Sequence, residues 1–210
     1  MKYLLEHDDA LVSLDEGFAG LPVDPYTPGD FRYRRYSAFR LADGRVELLP
    51  PETFTQGKDI NRFLGDVERT YEPIEETTWG SPAFAAMLAH FEEHTAVRIG
   101  AHIGVHQVRV YERDGAALAP EGRHQDGFDR IAVYMIGRQN LDGGNLRLSE
   151  SATAEAFLEL PLMPGDYVVL NDRALFHNAS PIERIDPAQE GYADFFVATS
   201  CDDSATVTRH

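Results

Sequence analysis

Cysteine is almost missing from this 210-residue chain: Cys201 stands alone, so no internal disulfide is available and nothing asks for an oxidising compartment. Its plain reading is an inert thiol. Long apolar runs are missing too, since none approaches the ~20 residues a membrane helix needs. Leu4 and Leu5 are followed at once by Glu6, His7, Asp8 and Asp9, which is no signal-peptide core. Positive charge is scarce: 19 Lys and Arg against 35 Asp and Glu leave −16, a field that repels phosphate backbones and anionic lipid. These shortages argue against nucleic acid and membrane as partners and point to a soluble cytoplasmic protein. Repeats, low-complexity tracts and long linkers are absent as well, which with the length favours one domain over residues 1–210.

What is present is an ordinary globular composition, 43% hydrophobic and 26% charged, enough to exclude a disordered chain. Pro22, Pro25, Pro28 and Gly29 punctuate a loop. Phe31 to Leu41, Asp43-Gly44 and Arg45 to Leu49 then make a hairpin pattern, on which Arg32, Arg34 and Arg35 read as a solvated strand face. Ser81-Pro82 is an N-cap and first-turn pair, and Phe84, Met87, Leu88 and Phe91 recur at helical spacing up to about His94. From there the pattern is β: His102–Arg113, Arg130–Arg138, Asn145–Glu150, Glu155–Leu160, Asp166–Leu170, Leu175–Ile182 and Tyr192–Ser200. Turn clusters separate them at Asp114-Gly115, Asp142-Gly143-Gly144, Pro164-Gly165 and Pro187 to Gly191. Many short strands behind one helix predict a mainly β protein with supporting helices, a closed or double-sheet architecture.

Three histidine patterns compete for chemistry. In His124-Gln125-Asp126 an extended backbone places a nitrogen ligand and a carboxylate on one face, and a further histidine would complete a set that leaves Fe(II) positions open for oxygen and a co-substrate. A bare His-x-Asp is weak by itself: His7 and Asp9 match it too, in an acidic terminal segment expected to fray. His90-Phe91-Glu92-Glu93-His94 fits the H-x-x-E-H string of inverted zinc peptidases, although a cation at a helix C-terminus accounts for His94 without metal. His102 and His106 share a strand face as an incomplete pair. Gln107, Arg109 and Tyr111 occupy the other face, where Arg109 either grips a ligand carboxylate or pairs with a surface acid.

A longer run of pieces decides the weighting. Val105-His106-Gln107, Pro120 to Gly127, Asn140 to Gly144, Pro164-Gly165-Asp166, Asn171-Asp172-Arg173, His177 to Ile182 and Gly191 to Asp194 follow in an order and spacing that resembles the bacterial 2-oxoglutarate-Fe(II) dioxygenases that hydroxylate free amino acids, the isoleucine 4-hydroxylase-like family. The resemblance spans about Asp30 to Ser200. It implies a double-stranded β-helix (jelly roll, cupin-like), with His124, Asp126 and His177 as iron ligands. It further implies Fe(II) as metal, 2-oxoglutarate and O2 as co-substrates, and a small polar substrate such as a free amino acid. Around the iron the expected polar residues are Gln107, Arg109, Tyr134 and Arg147. In one place the chain departs from the pattern: relatives read Gly-Tyr-Arg-Asp where this chain has Gly191-Tyr192-Ala193-Asp194, and that arginine anchors the distal carboxylate of 2-oxoglutarate. Replacement by Arg147, then Arg109, then Arg184 is the expectation. Three rivals stay open: an iron oxidase that needs no 2-oxoglutarate, a cupin-like binding domain without oxygen chemistry, and the zinc hydrolase on His90 and His94.

Overall fold

The structure, a computed structural model, describes residues 1–58, 65–95, 98, 100–113, 118 and 122–200. Cys201, the expected turn at Asp114-Gly115 and the pair Pro120-Glu121 lie outside them. Twelve strands and a few helices are built from the described residues in the order β1 (Tyr3–His7), a 3-10 helix (Asp9–Phe18), β2 (Arg32–Ala42), β3 (Arg45–Leu48), α1 (Glu76–Trp79), α2 (Pro82–Thr95), β4 (Ile103–Tyr111) and β5 (Arg130–Gln139). There follow β6 (Leu141–Gly143), β7 (Leu146–Ser149), β8 (Leu158–Leu160), β9 (Asp166–Asn171), β10 (Phe176–Ala179), β11 (Ile182–Arg184) and β12 (Tyr192–Ser200).

Seven of these strands form one antiparallel sheet, ordered β1-β9-β5-β12-β4-β2-β3. Facing it are β10-β7-β8 and the ribbon β11-β6, so the two faces enclose a jelly roll: the strand pattern predicts a double-sheet architecture, and the family resemblance implies this form of it. Both faces of the large sheet are covered, which is why β5 reads as a near-continuous apolar run and not as an alternation. Its outer face carries Tyr134, Ile136, Phe196 and Val105 against the 3-10 helix and α2. Its inner face carries Val108, Val110, Met135 and Phe195 against Leu146, Leu148, Leu175 and Ile182. Helix α2 begins where expected: the Ser81 hydroxyl accepts from the Phe84 N–H at 3.2 Å, and Phe84, Met87, Leu88 and Phe91 are wholly buried. No helix among the described residues is long and apolar enough to cross a membrane.

The deviations from the sequence reading have local causes. The N-terminal segment expected to fray is an edge strand, because β1 pairs along its whole length with β9, from Tyr3 opposite Leu170 to His7 opposite Asp166. The expected strand Leu175–Ile182 is divided into β10 and β11 at Ser180-Pro181, where proline has no N–H for a ladder. Within the expected turn Asp142-Gly143-Gly144 the chain makes β6 instead. Gly143 sits at φ 73°, and a Cβ there would meet the Pro181 carbonyl oxygen at 1.9 Å, so only glycine lets β6 close on the β10–β11 link.

Candidate active site

A single backbone pairing brings the His-x-Asp stretch to the later histidine. His124 and His177 form an isolated antiparallel bridge, exchanging N–H to carbonyl bonds of 3.0 and 2.9 Å. Their rings then lie 4.4 Å apart between centroids, with Asp126 between them: His124 Nε2 is 3.5 Å from one carboxylate oxygen, His177 Nε2 3.5 Å from the other. One ligand atom from each of the three lies within 4.8 Å of the others, and this is the one such group of His, Cys, Asp or Glu among the described residues.

The donor set fits a divalent metal in its protonation as well as its spacing. His124 Nδ1 donates to the Gly122 carbonyl at 2.8 Å, which fixes the ring with Nε2 turned toward Asp126. His177 Nδ1 is buried without a hydrogen bond and stands 3.8 Å from an Asp172 carboxylate oxygen. Burial by itself would raise the Asp126 carboxyl, but the two imidazoles outweigh it and hold the carboxyl well below the usual range, so Asp126 is an anion. Asp172 fixes the ligand loop: its buried carboxylate accepts the Asp126, Gly127 and Phe128 N–H groups at 3.1, 2.8 and 3.1 Å.

The triad opens into a cavity inside the jelly roll, walled by apolar Phe54, Val108, Phe195 and Val197 and by a cluster of cations, Arg32, Arg34 and Arg69. This corrects the solvated-face reading of β2. Arg34 and Arg35 are each only 9% exposed. Arg35 turns outward to Glu72 and Glu75, whereas Arg34 lies inward, donating to His106 Nδ1. Burial first, then Arg34, pushes His106 well below the ordinary imidazole range, so the ring is neutral.

The four residues expected around the metal do not line this cavity. Gln107 donates to the Gly17 carbonyl and Tyr134 to the Met87 carbonyl, both on the outer, helix-covered face. Arg109 is on that face as well, bidentate to Asp194 at 2.6 and 2.6 Å, which is the ordinary ion-pair alternative for it. Arg147 pairs with Glu159 at 2.9 Å on the second face, and Arg184 with Glu112 at 2.7 Å. All three arginines expected to replace the missing one at Ala193 are therefore already engaged away from the site. On α2, His90 stacks on Tyr167 of β9 and lies 3.7 Å from Asp8, His94 meets the Tyr167 hydroxyl at 3.3 Å, and no three-ligand group among the described residues includes them. His102 meets Glu52 at 3.0 Å, while its strand partner His106 is the buried one. Sequence reasoning missed Arg69, Gln56 and the role of Asp172. Asp172 lay within the resemblance; Arg69 and Gln56 lie in a region with no regular pattern to flag them.

The model of the family described as 2OG-Fe dioxygenase matches residues 15–199. A curated relative, 3(1)-hydroxy-L-isoleucine 4-dioxygenase of Pantoea ananatis (strain AJ13355), is 27% identical over 195 residues, covering 86% of this chain and 78% of that protein. Among solved structures, a bsmA homolog from Methylobium petroleophilum superposes with a TM-score of 0.79 at 28% identity, over 93% of this chain and 82% of that one. IDO from Bacillus thuringiensis gives 0.76 at 16% identity, over 96% and 90%, a likeness of fold. With the jelly roll and a His-Asp-His cluster inside it, the chain belongs to the 2OG-Fe dioxygenase family and is an Fe(II)- and 2-oxoglutarate-dependent dioxygenase.

Proposed function

We propose that His124, Asp126 and His177 hold Fe(II), and that the enzyme oxidises an unactivated C–H bond of a free amino acid or similar small polar metabolite. The observation that carries this is the convergence of two imidazole nitrogens and one carboxylate at the wall of an internal cavity. When bound, the iron couples oxidative decarboxylation of 2-oxoglutarate to insertion of an oxygen atom into the substrate. The chain's own residues bind, orient and exclude water: Asp172 locks the ligand loop, and the apolar wall of Phe54, Val108 and Phe195 shields the reacting carbon. The amino-acid class is favoured by the relative that acts on hydroxyisoleucine.

For the distal carboxylate of 2-oxoglutarate we propose Arg138. In the ladder it is directly opposite Ala193, one strand over, and its Nη1 is buried without a hydrogen-bond partner. A guanidinium there occupies the neighbouring row position of the same sheet face, about 5 Å from where the expected arginine would start. The test is an anaerobic Fe(II) titration with 2-oxoglutarate, followed by an amino-acid panel read by mass spectrometry. A metal-to-ligand charge-transfer band that Arg138→Met weakens, and a product heavier by one oxygen, are expected. No band at saturating 2-oxoglutarate would refute the reading.

A further inference from the structure

Arg32, Arg34 and Arg69 are an unusual concentration of positive charge for the inside of a barrel in so acidic a protein. Their charge is incompletely answered. Asp24, itself 2% exposed, is the one carboxylate near them among the described residues: it is 3.8 Å from Arg32 Nε and 4.0 Å from Arg34 Nη1. It is already accepting the Tyr26 N–H at 2.9 Å and the Thr27 hydroxyl at 3.2 Å, and it does not line the cavity. Among the described lining residues the sole carboxylate is Asp126. Aromatic faces carry part of the remainder, with Arg34 4.7 Å from the Tyr71 ring centre and Arg69 4.6 Å from that of Phe54.

Within the cation cluster the unsatisfied atoms are donors, and the buried unsatisfied acceptor on the cavity lining, Asn178 Oδ1, belongs to β10. Arg32 Nε and Arg69 Nε are buried with no hydrogen-bond partner, and each is a donor that cannot lose its proton. His106 Nε2 is a third. Arg34 donates to Nδ1 of that ring through Nη2 at 2.7 Å, so the imidazole proton sits on Nε2. Three buried donors and a surplus of positive charge on one cavity wall call for an acceptor-only, anionic group. The wall is also tied to the metal ligands. Arg69 Nη2 donates to Gln56 Oε1 at 2.9 Å, and Gln56 Nε2 donates to the Asp126 carbonyl at 3.0 Å, which sets the distance from the cations to the reacting centre.

We infer that Arg32 and Arg69, with His106 and with Arg34 as the positioning residue, form the dock for the carboxylate of the organic substrate, which is therefore recognised through its carboxylate and not through an amino group. The inference rests on the iron-oxygenase reading of the same cavity and on the placing of 2-oxoglutarate at Arg138. Among the described residues an ammonium group finds no carboxylate on the cavity wall besides Asp126 and one unpaired neutral acceptor, Asn178 Oδ1, so the wall favours the anion.

The experiment is a binding measurement that needs no turnover. Protein loaded with Fe(II) and 2-oxoglutarate without oxygen is titrated by calorimetry with L-isoleucine, L-leucine, 4-methylpentanoate and the carboxamide of each. An acid is expected to bind at least about tenfold tighter than its carboxamide, as loss of charge-assisted hydrogen bonds implies, and 4-methylpentanoate to bind within about threefold of L-leucine. Arg32→Met and Arg69→Met should erase the acid–carboxamide difference while leaving the 2-oxoglutarate band in place. Arg69→Lys should restore part of it, which separates charge recognition from damage to the fold. Equal binding of every acid and its carboxamide would overturn the inference, and so would loss of the 2-oxoglutarate band in Arg32→Met and Arg69→Met, which would give the cluster to the co-substrate. Absence of the band in the unaltered protein would be the separate failure of the oxygenase reading, and the acid–carboxamide comparison can be made on the protein either way.

Discussion

Replacing Asp172 isolates the part of the site that the sequence resemblance names without explaining. One of its oxygens accepts two N–H groups, Gly127 at 2.8 Å and Phe128 at 3.1 Å, and the other accepts Asp126 at 3.1 Å while facing His177 Nδ1 at 3.8 Å. Asp172→Ala leaves three backbone donors in a buried loop without an acceptor. At roughly 1–3 kcal/mol for each orphaned donor, and allowing for relaxation and incomplete additivity, the cost is about 3–5 kcal/mol. A domain of this size commonly has about 5–15 kcal/mol in all, so the variant folds but is severely weakened. Asp172→Asn is the sharper probe. Its amide oxygen can keep Gly127 and Phe128, and its NH2 then opposes the Asp126 N–H, so one bond is lost, for about 1–3 kcal/mol. Urea denaturation of metal-free protein gives both values. Loosening of the loop that carries Asp126 should also weaken Fe(II) about 10–100-fold, measured against a competing chelator. The reasoning fails if metal-free Asp172→Ala unfolds within about 0.5 kcal/mol of the parent chain, the range of an unremarkable surface substitution.

Three further outcomes follow from the same geometry. His177→Ala should abolish turnover and metal binding while shifting the unfolding free energy of the metal-free protein by no more than about 1–2 kcal/mol, since its backbone pairing with His124 survives; a denaturation curve and a metal assay decide it. Arg109→Ala should cost about 3–5 kcal/mol, because it strands the buried Asp194 carboxylate, yet leave the 2-oxoglutarate band unchanged in the folded protein; a weakened band would return Arg109 to the site. The hydrogen bonds that His7 donates to Asp166 and Asp9 raise its pKa above the ordinary value, so its contribution to stability is complete below about pH 6.5 and is lost as pH rises through the folded value. His7→Gln should therefore destabilise the protein at pH 5.5 and much less at pH 9, and an equal loss at both would contradict the assignment.

The parts of this molecule that were legible in the sequence are those whose signal is local. Helix α2 announced itself by a cap, a proline and a four-residue apolar rhythm, and the long strands by β-type runs between turn residues. Strand β1 was illegible because its partner β9 lies about 160 residues away in the chain, and Glu6, His7 and Asp8 look like any solvated end until that edge is known. The metal cluster needed a family pattern, since no local rule joins His124 to His177; the pairing that joins them is one isolated bridge.

The arginines were misassigned for a more general reason. A strand that alternates arginine with aromatic residues has the same pattern whether its charged side meets water or the inside of a barrel that receives an anion. Both are polar solvents for a guanidinium, the second only when the ligand is bound. Arg109 and Arg34 show the two outcomes on adjacent strands of one sheet. Arg109 faces outward beneath the helical layer and is neutralised in place by Asp194, so its charge is spent on the fold. Arg34 lies inward and donates through Nε and Nη2 to a neutral imidazole, beside two guanidiniums that keep unused donors. Structural need explains a buried cation with a buried anion beside it, and does not explain three cations that share one among the described residues. The difference in pairing, which only the fold reveals, marks where charge has been reserved for a molecule other than the protein.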